Sequence, residues 1–487
     1  MTVAARARWE PLLVLVAALV VFVPGLGWSG LSSTEGHRAI PGWEMLRAAR
    51  GAGAGGGVEG VEGWWLVPTM FGQAYLRKPP GMPWAIAGMS GVLGETEFAA
   101  RLVSAMSTGL LALGAMVMAR RWFGGRNGLV AGLGVVLMPL LWGPGRSAEI
   151  EALNNVWSAM GAWLVIDVAM RPGGRWRPWA AGGAVLLAGL AKGPAGMPVV
   201  LAAAAAGCVA ARSWRVGARL WPAAVVPMVG LGLMAWMTAR ALGGREPVTQ
   251  EMSEFFWTGR ALTPGSVAGV VLMPMLALLS GMPGAMAVLT PWIAEARERR
   301  MCGVVAGASV MSLASLAVMG VTNPRYGMPS VVVLVVLIGP LLYGVVGRVV
   351  DGWMRWWRVG AHAAMGALAA VVIPMQERDR EKRSGRAAGE ALAGLVGSGA
   401  VVRADHLVEA RPDVLWYAKQ RAEREGRGLE VRWTPGLGKK GELGVGEYGC
   451  VRTDTAEAAE MKQRMEVEVV GTGSIRQYRY EVVRRAR

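Results

Sequence analysis

Histidine and cysteine are nearly missing from this chain, with three of each in 487 residues. Cys208, Cys302 and Cys450 form no CxxC and no metal-ligand spacing, and the first two fall inside apolar segments, so no disulfide framework follows from them. The histidines are His37, His362 and His406, with none in the loop at about 240–266, so a histidine-based metal site cannot be assembled from that loop. No cofactor is expected, and metal-independent chemistry is. Charge is scarce too: 17% of residues are charged and 53% hydrophobic, which excludes an ordinary soluble profile. Acid is the scarcer sign, with 34 Asp and Glu against 51 Lys and Arg, a net charge of +17. Such an excess can signal nucleic acid. Here much of it sits in short connectors between apolar runs, where topology and anionic headgroups account for it, and nucleic acid is not expected as a partner.

What the chain has in quantity is apolar segments. A membrane crossing needs about 20 apolar residues, and eleven candidates fall at about 11–28, 98–119, 127–143, 152–170, 177–191, 195–211, 219–239, 267–290, 302–320, 328–347 and 357–375. Alternate connectors carry Arg6/Arg8, Arg120/Arg121/Arg126, Arg171/Arg175/Arg177, Arg212/Arg215/Arg219, Arg297/Arg299/Arg300 and Arg348/Arg355. The excess of basic residues in cytoplasmic loops makes this set cytoplasmic. The N-terminus is then inside and the C-terminal tail outside, in a bacterial cytoplasmic membrane. The first span lacks a small-residue cleavage site and is followed by ten more, so it is not read as a cleavable signal.

The opposite connectors hold the unusual residues: a long loop at 29–97, GPGRSAEIE (143–151), AKGP (191–194), the loop at about 240–266 and TNPRYG (322–327 with its flanking Thr). In the long loop, SSTEGHRAIPGWEMLRAA reads as an amphipathic helix along the interface, with Ile40, Trp43, Met45 and Leu46 facing lipid. GAGAGGG (51–57) has no preceding strand and no following GK[ST], so it reads as a linker rather than a phosphate loop. Lys78-Pro79-Pro80 sets a cation before two rigid residues that lack an N–H. By itself such a lysine is equally a snorkelling anchor at a helix start.

Taken in order from about residue 30 to 347, the motifs form a pattern. The Tyr75-x-x-Lys78-Pro79-Pro80 turn, the Glu97-Phe98-x-x-Arg101-Leu102 opening of the second span, the Lys192-Gly193-Pro194 turn and the late Pro324-Arg325-Tyr326 resemble the C-type (GT-C) glycosyltransferases of the ArnT and protein O-mannosyltransferase superfamily. The resemblance implies a polytopic helical membrane protein that moves a sugar from a polyprenyl-phosphate carrier to a glycan, lipid or protein acceptor on the outer face. It also implies roles. A lipid-phosphate leaving group calls for cations and an acceptor hydroxyl for a carboxylate base. Lys78, Lys192 and Arg325 are the expected grips on the phosphate, Tyr75 matches a tyrosine near it, and Arg38, Arg146 and Arg260 complete the candidate substrate-binding set. Interfacial anchoring remains open for Lys192, and helix capping or lipid contact for Arg325.

The carboxylates depart from the family pattern. Relatives have Asp-Glu in the first loop, with the aspartate credited as base, whereas this chain has Thr34-Glu35. Either Glu35 is the base, or the base lies elsewhere, or transfer is lost. A second acidic position is matched by Glu151, with Glu149 beside it, and both are also what a helix N-terminus favours. Arg77 stands where relatives often carry an acid before the KPP lysine, which removes a possible metal ligand. Glu251 and Glu254 near Arg260 read as a solvated face or as reaching the cavity.

After Pro374 the composition changes. A charged, then amphipathic helix (377–399), strands at GAVVRA, LEVRWT and GEYGCVRT and a helix at RPDVLWYAKQRAERE predict a small extracytoplasmic α/β domain, 377–487, after a transmembrane domain, 1–376. A catalytically impaired sugar-lipid-binding member of the same fold is the alternative function. A transporter is less favoured, because ion coupling usually leaves ionisable groups near the midplane, and here Arg101 and Asp167 lie toward span ends. A topology reporter fused after Arg300 is expected to be active only in the cytoplasm and one fused after Arg487 only outside; equal answers at both sites would break the alternation.

Overall fold

The computed structural model describes residues 3–51, 65–171, 173–242, 284–321, 323–346 and 370–435, then 443–453, 461–463, 467–475 and 478–485, with isolated positions between them. Arg260, Glu251, Glu254, Arg348, Arg355, residues 52–57 and most of the expected spans 267–290 and 357–375 lie outside the described residues. The helices that organise the rest are α1 (Val3–Phe22), α2 (Ser33–Ala49), α3 (Gly81–Leu93), α4 (Glu97–Phe123), α5 (Gly125–Leu137), α6 (Ile150–Met170), α7 (Arg177–Lys192), α8 (Met197–Ala211), α9 (Trp221–Ala241), α10 (Ala296–Val318) and α11 (Pro324–Leu342, which mixes α and 3-10 turns).

Among the described residues five helices are long and apolar enough to cross a membrane, or six if the pair Asn127–Leu137 and Pro139–Arg146, bent by 59°, is one broken span. This is fewer than the eleven read from sequence. Part of the shortfall has a physical reason: α6 is diluted by Glu151, Asn154, Asn155 and Asp167, and the apolar part of α1, Trp9–Phe22, is short.

The stretch Arg177–Ala211 qualifies as a single 35-residue helix, yet it makes two passes. In line it would reach about 52 Å at 1.5 Å per residue. Its two ends instead meet the same end of α6: Arg177 pairs with Asp167 at 3.1 Å, and a Cβ at Gly207 would lie 2.6 Å from that of Ala169. Its middle meets the other end of α6, where Lys192 pairs with Glu151 at 3.2 Å and Gly196 abuts Asn154 and Ser158. The reversal falls at Gly193, whose φ of +61° is cheap only for glycine.

The arginine-bearing connectors collect at one end of this bundle. Asp167 accepts from Arg121 at 2.8 Å and from Trp122 Nε1 at 3.1 Å, Arg120 pairs with Glu10, and Arg300 donates to the Ala210 carbonyl. Glu35, Glu149, Glu151, Lys192 and Arg325 collect at the other.

Over that second end lies a roof. Helix α2 packs on α3, whose Gly81 is pressed so closely on α7 that an added Cβ would sit 2.5 Å from the Leu190 carbonyl oxygen. The lipid-facing role read for α2 is corrected here: Ile40, Trp43 and Met45 are buried, and only Leu46 is half-exposed. Trp43 stacks on Trp416 of the C-terminal region at 4.8 Å and donates to Ser90 Oγ, so a second protein layer covers the face that the sequence suggested was lipid's.

That layer follows a helical segment at 371–383 and contains α12 (Arg386–Leu395), α13 (Pro412–Arg424) and strands β3 (Ala400–Ala404), β4 (Leu429–Trp433), β5 (Tyr448–Arg452), β6 (Val467–Ile475) and β7 (Tyr478–Arg485); β1 (Thr69–Met70) and β2 (Gln73–Ala74) form a separate small hairpin. The larger sheet has the order β4-β3-β5-β7-β6, with β3 parallel to β4 and β5, and β7 antiparallel to β5 and β6. The three strands and the helix read from sequence are present; the hairpin β6–β7 was not anticipated. Gly81→Ala is expected to lower stability by about 1–3 kcal/mol through overpacking on backbone, while Gly183→Ala, which meets nothing within 4 Å, is expected to be neutral or stabilising. Thermal unfolding in detergent distinguishes them.

Candidate active site

The roofed end is organised around a buried arginine. Arg101, one turn into α4, has no solvent exposure. It spends its donors on Glu35 (2.7 and 2.9 Å) and on the carbonyls of Leu26, Ser29 and Gly30 (2.7, 2.8 and 2.8 Å). Glu35 is the third residue of α2 and also caps it, accepting from the Ser32 N–H at 2.9 Å; a fourth donor is the Ala148 N–H at 3.0 Å. Burial alone would raise its pKa, but the charge and hydrogen bonds of Arg101 outweigh burial and hold it at about 2. Four donors use the lone-pair capacity of a carboxylate, so this geometry sets Glu35 in the framework rather than in reach of an acceptor proton.

Glu149 is different. It is the N-cap residue of α6, with extended backbone, and one oxygen accepts from the Thr34 hydroxyl at 3.0 Å while the other accepts from Arg325 Nη1 at 3.2 Å. Burial, and then the neighbouring Glu151 carboxylate, raise its pKa above the ordinary carboxylate value. It borders a cavity of about 670 Å³ that Thr34, Arg325, Gln376, Asp379 and Arg380 also line. Arg325 is 55% exposed, carried on the 3-10 turn Pro324–Gly327 whose cap, Asn323, accepts from the Arg325 N–H at 3.0 Å. One residue on, the Tyr326 ring lies 4.7 Å from Lys192 Nζ, which pairs with Glu151. Glu149, Glu151, Lys192 and Arg325, picked from separate stretches of sequence, therefore form one charged cluster.

The other candidates divide. Tyr75 accepts a hydrogen bond from Arg38 at 3.2 Å, and its ring is 6.0 Å from that of His37. Lys78 is half-buried on the turn whose Pro79 approaches Gly193, so the KPP and KGP turns touch. Arg146 is corrected from a substrate grip to a framework residue: it is 1% exposed and donates to the carbonyls of Val21 and Pro24 and to Glu377, because it closes the broken end of the third span. Arg260 lies outside the described residues. Among the described residues no group of three His, Cys, Asp or Glu side chains is placed to hold a metal ion.

Reading the sequence missed Glu377, Arg380 and the structural work of Arg101. Glu377 accepts from Ser29 at 2.6 Å, Arg146 at 3.1 Å and Arg380 at 2.6 Å. The segment ERDREKR was visible as a charged helix, but its alternating signs are also those of a solvated one. Nothing local in it discloses that it closes over the first loop.

A family description, dolichyl-phosphate-mannose-protein mannosyltransferase, matches residues 77–237. An undecaprenyl phosphate-alpha-4-amino-4-deoxy-L-arabinose arabinosyl transferase of Aeromonas salmonicida (strain A449) is 30% identical over 198 residues, 40% of this chain and 35% of that protein. A second such transferase, from Pseudomonas fluorescens (strain Pf0-1), is 28% identical over 262 residues, 51% of this chain and 43% of that one. The matched segments thus span well under half of these relatives' own length. In three dimensions the crystal structure of ArnT from Cupriavidus metallidurans in the apo state superposes with a TM-score of 0.67 at 17% identity over 98% of both chains. The same protein bound to undecaprenyl phosphate gives 0.65, at 17% identity over 97% of both. Both comparisons liken the chain to C-type (GT-C) glycosyltransferases: the family match over residues 77–237, and a fold that is that of ArnT from the first span to the C-terminal sheet.

The Glu35–Arg101 pair has a pH signature. The folded pKa of about 2 lies below the ordinary 4.5, so the pair's stabilisation is complete above about pH 4.5 and is lost as pH falls toward 2; the shift corresponds to about 3 kcal/mol. Glu35→Gln leaves Arg101 buried without its counter-charge and is expected to cost about 3–5 kcal/mol. Unfolding midpoints followed from pH 7 down to about pH 2 check both: the gap between parent and variant should persist to about pH 4 and close only as pH approaches 2.

Proposed function

We propose that this protein transfers a sugar from a polyprenyl-phosphate carrier to an acceptor hydroxyl at the end of the bundle away from the arginine connectors, the extracytoplasmic face, with Glu149 as general base. The observation that carries this reading is the position of Glu149 on the 670 Å³ cavity, beside a half-exposed arginine and with a raised pKa. A base must be reachable and proton-hungry; Glu149 is both, whereas Glu35, which also borders the cavity, is 1% exposed with both oxygens already taken by donors and a lowered pKa. Arg325, Lys192 and Lys78 are assigned to the anionic carrier phosphate, where cations stabilise the departing charge. Tyr75 and Arg38 are assigned to its approach beside the KPP turn. Glu151 holds Lys192 in place. Residues 377–487 act as an extracytoplasmic α/β domain that closes the site from above.

The transferases named above and the ArnT crystallised with undecaprenyl phosphate support the polyprenyl carrier class. A second reading, a carrier-binding protein without transfer, is favoured by one observation: Thr34 stands where relatives place their aspartate. The structure gives that threonine an alternative task, since its hydroxyl orients Glu149.

Transfer from a radiolabelled polyprenyl-phosphate sugar into membranes tests this. Glu149→Gln is expected to lower the rate by roughly 10²–10⁴ at unchanged protein level, and parental transfer should decline as pH falls through the raised pKa of Glu149. Lys78→Ala, losing a charge-assisted contact worth about 1.5–3 kcal/mol, should cost roughly tenfold or more. Full activity in Glu149→Gln would return the base to another carboxylate, and an inactive parent that still binds the carrier would establish the second reading.

A further inference from the structure

At the opposite end of the bundle the connectors α6–α7 and α8–α9 enclose a separate cavity of about 460 Å³. Its walls include Trp179 and Trp221, packed edge to face with ring centroids 4.9 Å apart, and each is about half-exposed. Its rim carries Arg175 and Arg219. Of the other arginines at this end, Arg121 and Arg177 pair with Asp167, Arg120 with Glu10, and Arg171 donates to the Arg121 and Trp122 carbonyls, whereas Arg212 and Arg215 on the α8–α9 connector are exposed and do not line the cavity. Arg175 and Arg219 are exposed, and no ion pair or hydrogen bond is recorded for either among the described residues. Two further tryptophans on the same connectors, Trp176 and Trp214, are 65% and 79% exposed.

Such a pocket is poorly explained by topology alone. Basic residues that merely orient a span need no cavity between them, and tryptophans that merely mark the interface need not pair to wall one. Uncommitted guanidiniums over an aromatic floor suit an anionic phosphodiester with an attached acyl chain: the arginines meet the phosphate and the indole rings the glycerol and upper chain. Gly173 and Gly174, at φ of +140° and +74°, form the tight turn that brings Arg175 back over the floor.

We propose that this cavity is a binding site for the headgroup of an anionic membrane phospholipid, separate from the sugar-transfer site. The proposal rests on the chain spanning a membrane but not on the assignment of Glu149, so it stands or falls independently of the transferase reading. Bound lipid there ties the ends of α6, α7 and α9 together, on the side away from the chemistry.

Native mass spectrometry of the detergent-solubilised full chain, titrated with phosphatidylglycerol, with phosphatidylcholine and with inorganic phosphate, tests it. One saturable phosphatidylglycerol adduct is expected, weakened roughly thirtyfold in the Arg175→Gln/Arg219→Gln double variant, the worth of two cations near an anionic headgroup. Arg299→Gln, on another connector, should leave the adduct unchanged. Because both target arginines are exposed and have no ion-pair partner among the described residues, unfolding midpoints without added lipid should match between parent and double variant, and midpoints with lipid should rise only in the parent. Equal binding of phosphatidylcholine, displacement of the adduct by millimolar inorganic phosphate, or an unchanged adduct in the double variant would each overturn the proposal.

Discussion

The arrangement of the whole roofed end depends on one ion pair. Arg101 lies one turn into α4 at the roofed end, and a guanidinium with no solvent contact cannot be tolerated without a counter-charge and a full set of acceptors. Glu35 supplies the charge, and the loop carbonyls from Leu26 to Gly30 supply the rest. Every group so recruited is thereby fixed: the chain leaving α1, the start of α2, and, through the Ala148 N–H, the residue just before Glu149. The site inherits its geometry from that framework. Glu149 is held from behind by the backbone that Glu35 grips and in front by Thr34 and Arg325, so its own side chain has little to do except face the cavity.

A division of labour among acids follows. Glu35, Glu149 and Glu151 lie within a short distance of one another but in three electrostatic settings. One is saturated by arginine, one is partnered to lysine, and one has a hydroxyl and a half-exposed arginine. Separated environments are what allow neighbouring carboxylates to hold different protonation tasks, and here the separation comes from helix ends. Glu35 sits at the third position of α2, Glu149 caps α6, and Glu151 lies in the first turn of α6.

Much of this was legible in the chain before any coordinates. The spacing of apolar runs located the helices that the described residues contain, including the reversal at Gly193 that length and hydropathy alone would merge, while the count of eleven reaches beyond them. Lys192 and Arg325 were picked out by the KGP and PRY motifs, and Glu151, with Glu149 beside it, by its spacing in the resemblance. Two things were not legible. The buried state of α2 depends on Trp416, and the closure of the cavity on Glu377 and Arg380, all contributed from more than 300 residues downstream. An amphipathic pattern records that one face is apolar; it carries no information on whether lipid or protein will cover it. The role of Glu35 was left open for a related reason, since the sequence displays a carboxylate but not the number of donors that will converge on it.

The distance between those partners has a consequence for how the protein is made. Ser29 and Glu377 are separated by 348 residues, and the Leu31 N–H and its acceptor, the Tyr417 hydroxyl, by 386. At synthesis rates of about 5–20 residues per second, the first loop waits roughly 20–70 s before its last hydrogen-bond partners are made. Throughout that interval Ser29, Arg146 and the apolar face of α2 are uncovered. A chain cut short before residue 377 therefore lacks the groups that cover Ser29, Arg146 and the apolar face of α2, so these contacts form only after nearly all of the bundle has been made.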